Sequence, residues 1–139
     1  MKKYIFHILA IVAVLLLLSS CTNVGEIKSN LDQEFTLSIG QSTQIEGESL
    51  QISFEDVLED SRCEIGANCI WEGRVSLALE IKDNSSPYKM ILMQYGLNNQ
   101  YSNEIYKAYQ FAFKVNPYPE LGTEIVKNDY QLLMTVSKR

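Results

Sequence analysis

The chain has 139 residues, with 12 Lys plus Arg, 17 Asp plus Glu and one His, for a net charge of −5. Leaving out the first 20 residues, which are largely apolar and hold Lys2, Lys3 and His7, the other 119 carry 10 basic and 17 acidic residues, a net charge of −7. That length suits one domain with its own core, the acidic balance excludes the basic patches that bind nucleic acid or an anionic membrane face, and the missing His excludes Ser-His and Cys-His catalysis and the commonest zinc ligand.

Residues 1–21 read as an export signal: two lysines, an unbroken apolar run of eleven residues over 8–18, then Ser19, Ser20 and Cys21. A positive start, a short apolar stretch and small residues before a cut make a secretory signal. Eleven apolar residues fall well short of the roughly 20 that a permanent membrane span needs. Leu18-Ser19-Ser20-Cys21 resembles the lipobox of bacterial lipoproteins. The resemblance implies that residues 1–20 are removed and that Cys21 becomes an acylated first residue, palmitate being one such chain. Two or three acyl chains anchor a protein stably where one does not. The expected location is the cell envelope, lipid-anchored: the outer membrane of a Gram-negative cell, otherwise the outer face of the plasma membrane. Residues 21–34 are polar and mixed and read as a flexible tether.

From Phe35 on, the apolar period is two, the mark of strands with one buried face. Alternation predicts strands over 35–39, 50–54, 75–81, 109–115 and 130–136, with a weaker one over 43–45. Residues 83–87, Asp-Asn-Ser-Ser-Pro, are a turn. Tyr88–Tyr95 is nearly continuous apolar, as in a strand buried on both faces. Residues 123–127 suit a short strand or a helical turn. About seven strands with closely spaced turns predict an all-β fold, an antiparallel β-sandwich of immunoglobulin-like or similar Greek-key type, as a single domain over 35–139.

With Cys21 given to lipid, Cys63 and Cys69 pair by arithmetic in an exported chain. A metal site at the same two thiols would need two carboxylates to complete it, so none is expected there, and no cofactor either. Asp60-Ser61-Arg62-Cys63, followed by Cys69-Ile70-Trp71-Glu72-Gly73, resembles a signature of uncharacterised bacterial lipoproteins: Asp-Ser-Arg-Cys-Pro, a spacer, then Cys-x-Trp-x-Gly leading into a strand. Glu64 stands where that signature has Pro. The resemblance supports the fold and the disulfide and brings no activity with it. Asp60 is expected to hold the turn, and Arg62 to pair with Asp60 or with Glu55, Asp56 or Glu59. Trp71, the only Trp, is expected to pack on the disulfide or to cap one end of the core, and Gly73 to permit a bulge or bend.

Two segments are candidate binding loops. A disulfide-closed loop presents Arg62, Glu64, Ile65 and Asn68 at little ordering cost, as preorganised inhibitors do, with Trp71 beside it. Residues 96–106 carry Tyr101 and Tyr106 among Gly, Ser and Asn, the composition of recognition loops. The acidic run Glu55, Asp56, Glu59 and Asp60 lacks the spacing of a calcium loop. Nothing singles out a catalytic residue. The expected function is a non-enzymatic, membrane-anchored envelope module that binds a protein, peptide or glycan, with no nucleic acid among its partners. A protease inhibitor acting through the disulfide loop is the second reading, and a carboxylate-based hydrolase the third.

Overall fold

The computed structural model describes residues 27–96 and 100–139. The export signal, Cys21 and the start of the tether lie outside the described residues, as do residues 97–99. Among the described residues, nine strands form two sheets packed face to face. One sheet has the order β1 (Ile27–Ser29), β3 (Ser42–Ile45), β4 (Leu50–Asp60), β5 (Arg74–Lys82), β6 (Tyr88–Tyr95). The other has the order β2 (Glu34–Ser38), β9 (Gln131–Lys138), β8 (Tyr109–Asn116), β7 (Ser102–Tyr106). All pairs are antiparallel except β1 with β3. Strands β3 to β6 run as a meander inside one sheet, without the exchange between sheets that marks immunoglobulin domains.

The alternating residues make the core as their period requires. Leu37, Ile52, Phe54, Leu77, Leu79, Ile81, Phe111, Val115, Leu132 and Val136 all face inward and are buried. The domain starts earlier than the tether boundary at 34 implies. Ile27–Ser29 pairs in parallel with Thr43–Ile45, and the Ser29 and Thr43 hydroxyls, both buried, are 2.7 Å apart. Their mutual hydrogen bond satisfies two polar groups where the alternation is weakest, which is how a polar segment joins a sheet.

Tyr88–Tyr95 differs from its expectation. β6 is an edge strand, and its outward residues Ile91, Met93 and Tyr95 are exposed while Leu92 and Gln94 are buried. A continuous apolar run reads alike for a strand covered on both faces and for an edge strand with an apolar outer face. Residues 123–126 are irregular, and a single 3-10 turn follows at Lys127–Asp129.

Candidate functional site

The signature residues gather at one end of the sandwich, where β4 runs out and β5 begins. Ser61 N donates to Arg74 O at 2.8 Å and Cys63 N to Glu72 O at 3.2 Å, extending the β4–β5 ladder past the strand ends. Cys63 and Cys69 are disulfide-bonded with Cα atoms 6.0 Å apart, closing the loop between them. The loop is docked on the other sheet's connection: Ile65 N donates to Pro119 O at 2.9 Å, and Leu121 N to Ile65 O at 3.0 Å.

Arg62 is not a contact residue. It is only 4% exposed. Nε and Nη2 donate to the two oxygens of Asp60 at 2.8 and 2.6 Å, Nη1 to Val115 O at 2.9 Å and Nη2 to Pro117 O at 2.9 Å. The Tyr118 ring lies 5.0 Å from the guanidinium carbon, and the Tyr130 hydroxyl donates to Asp60 Oδ2 at 3.1 Å. Burial beside the Asp60 carboxylate pushes Tyr130 up to about 12. The guanidinium fork is pulled inward because only there can it meet a carboxylate and two orphan carbonyls together. Of the four carboxylates open to Arg62, the fold gives it Asp60. The placing of Arg62 on the recognition surface is corrected.

Trp71 is corrected in the opposite sense. It neither packs into the core nor is covered by the disulfide: it is 70% exposed, and Ile70 before it is 94% exposed. Gly73 sets this posture. Its φ is +68°, and a Cβ there would lie 1.8 Å from Ser61 O, so only glycine lets the chain turn so tightly into β5. Trp71, Glu72, Gly73, Arg74, Glu59, Ser61 and Tyr95 line an open concavity of about 450 Å³. Arg74 Nη2 lies 3.2 Å from Glu59 Oε2, and the guanidinium's pKa is raised by Glu59 and then by Tyr95. The concavity therefore offers two exposed aromatic rings, carboxylate acceptors and guanidinium donors on one surface.

The second half of the tyrosine loop is a strand: Ser102–Tyr106 is β7, paired with β8, and Tyr106 points into the sandwich, while residues 97–99 of that loop lie outside the described residues. Tyr106 is 8% exposed, its ring stacked on Phe111 and Tyr88 at 6.2 and 5.7 Å between centroids, and its hydroxyl donates to Asp83 at 3.0 Å. Tyr101 is partly exposed but engaged: its hydroxyl bonds Glu34 and Lys114 Nζ lies 4.7 Å from its ring. Glu64 is half-buried and lines a different concavity, with Glu124 and Tyr130. In the acidic run, Asp56 pairs with Lys127, Glu59 with Arg74 and Asp60 with Arg62.

Sequence reasoning passed over Arg74 and Glu72 and treated Tyr95 only as a flank. Their signal is the parity of β5 and β6, which puts Arg74 and Tyr95 opposite each other on the outer face. No family model, no curated protein and no solved structure matches this chain.

Proposed function

We propose that this chain is a lipoprotein anchored through acylated Cys21 in the bacterial envelope, and that it acts there as a non-enzymatic binding module whose contact surface is the Trp71–Tyr95 concavity. The observation that carries the binding reading is the exposure of the only Trp, 70%, on a surface shared with Tyr95 and the Glu59–Arg74 pair. A large aromatic side chain left in water forgoes about 2–3 kcal/mol of burial. Held in the open by a disulfide and a glycine turn, it is already placed for a partner, and rigid aromatic anchors dominate binding surfaces. The lipobox resemblance at Leu18–Cys21 and the Asp60–Gly73 signature support the anchored reading.

The inhibitor reading built on Arg62 loses its central residue, since that side chain is buried. For the hydrolase, Glu48 and Asp83 are held below the usual carboxylate range by hydrogen bonds, to Lys138 and Lys107 first. A general acid needs the opposite shift.

The fluorescence of the single Trp tests the site directly. Titrating the protein with oligosaccharides and peptides of envelope type is expected to give a saturable change in Trp71 emission that Tyr95→Ala or Arg74→Ala removes, with Tm unchanged. No saturable change with either class sinks this surface. Intact mass of the membrane-purified protein tests the anchor: a lipid-sized increment on a chain beginning at Cys21 is expected, and an unlipidated chain refutes it.

A further inference from the structure

We propose that β6 is the interface of a symmetric dimer, two copies of this chain pairing edge to edge and antiparallel about Leu92. Among the described residues, each sheet ends in two strands with one strand neighbour each. Of these, β1, β2 and β7 are 3, 5 and 5 residues long, and the last two carry Glu34 and Glu104. β6 is 8 residues long, and its register with β5 runs from Ile81↔Tyr88 to Arg74↔Tyr95 without a bulge. Among the described residues, its only strand partner is β5. Shortness, bulges and charge are what keep a sheet edge from recruiting another chain. β6 has only one charge, Lys89, on a chain that is otherwise acidic.

The strand's own residues select the register. With Leu92 on the two-fold axis, Ile91 lies opposite Met93 and Lys89 opposite Tyr95 of the second copy, all on the outer face, while Met90 lies opposite Gln94 on the inner face. Directly opposed residues share a face and touch. Exposed Ile91 and Met93 then form one four-residue apolar patch with their counterparts, and each ammonium meets a Tyr ring, an attractive cation–π pairing. No like charges are opposed. Moving the axis to Ile91 keeps the overlap but sets Lys89 opposite Met93 in place of Tyr95, and moving it to Met93 removes the Lys–Tyr pairing and shortens the overlap. Because Tyr95 also lines the Trp71 concavity, Lys89 of the second copy arrives at the rim of that site and adds a cation to it.

Cysteine cross-linking of the full-length chain in membranes tests the pairing. Two differently tagged copies are co-expressed, one with Ile91→Cys and the other with Met93→Cys, beside the parent chain, which sets the background. The mixed pair is expected to cross-link at least tenfold above two Ile91→Cys copies, because 91 and 91 are only diagonal neighbours in this register and too far apart for a disulfide. Mixed cross-linking no greater than that of copies carrying Lys28→Cys on β1 overturns the proposal, as does equal cross-linking of the mixed and Ile91→Cys pairs. Light scattering on the membrane-purified protein in mild detergent gives a second reading: twice the single-chain mass for the parent polypeptide and one copy for Ile91→Glu/Met93→Glu. A dimer that persists in the double variant also overturns it. Neither readout uses Trp71, so failure here leaves the binding surface standing.

Discussion

Asp60 and Arg62 stand two positions apart in the chain, yet what holds them together is a strand and a turn more than fifty residues away. The guanidinium's contacts to Val115 O and Pro117 O tie the end of β4 to the end of β8. Arg62→Ala leaves Asp60 buried without its counter-charge and is expected to cost about 3–5 kcal/mol, read as a lowered urea midpoint. Arg62→Lys is not expected to restore it, since one ammonium cannot reproduce a fork that meets two carboxylate oxygens and two carbonyls. Trp71→Ala is the contrasting case: with the ring in solvent, stability is expected to change by no more than about 0.5 kcal/mol. Protons report on the same contacts. Tyr101 and Tyr109 are pushed up to about 12 by hydrogen bonds to Glu34 and Glu48, and Tyr130 to about 12 by burial. The folded chain therefore keeps phenolic protons that the unfolded chain gives up from about pH 10. Between about pH 10 and 12 it binds more protons than the unfolded chain, so stability falls as pH rises through that window. A series of thermal melts is expected to show Tm dropping from about pH 10, with a shallower drop in Tyr130→Phe. At the acid end the sign reverses in proton count. Glu48 and Asp83 titrate below 4.5 and 3.8, so the stability they contribute is lost as pH falls below those values.

At the scale of elements, the end of the β4–β5 hairpin is where sequence and posture are most tightly linked. β4 carries two irregularities, between Phe54 and Asp56 and between Val57 and Glu59, and these turn its last residues so that Glu59 faces out beside Ser76 while Asp60 faces Arg62. The disulfide closes a ring of seven residues. In the chain-entropy model, Cys63→Ser/Cys69→Ser is expected to lower stability by about 2.5 kcal/mol. Gly73→Ala forces a left-handed φ on a residue with a Cβ and drives that atom into Ser61 O. Strain of this kind alone costs about 1–3 kcal/mol, and the relaxation that relieves it is expected to move Trp71, visible as a shifted emission maximum in the unliganded protein. The exposed apolar area on β6 lies on a strand fixed by its ladder to β5, whereas Ile70 and Trp71 lie in a bend bounded by the Cys63–Cys69 disulfide and the Cys63 N to Glu72 O hydrogen bond.

At the scale of the molecule, the N-terminal part adds β1 to one edge of the sandwich. A chain beginning at residue 35 lacks the β1–β3 ladder and leaves the Thr43 hydroxyl without Ser29. It is expected to have a lower urea midpoint than one beginning at residue 27, and equal midpoints would show that β1 contributes nothing. Much of this architecture was legible in the sequence. The alternation in 35–39, 50–54, 75–81, 109–115 and 130–136 names nearly every buried apolar side chain, because a strand's period of two assigns faces from local geometry alone. Cys63 and Cys69 were legible for the same reason, being near in the chain and joined by a loop that can close. The candidate site was only half legible. Period two says which residues share a face but not whether a second sheet covers that face, so the run Tyr88–Tyr95 read as a buried strand and is an exposed edge. Nor does an Arg two residues from an Asp disclose that Val115 and Pro117 carbonyls wait for it, or a Trp beside a disulfide that a glycine turn holds it in water. Local pattern determined most of the strands, the inward face and the covalent staple, but not β1 or β7. The burial of Arg62, the exposure of Trp71 and the open edge of β6 were decided by contacts between residues far apart in the chain, which only the packed tertiary structure brings together.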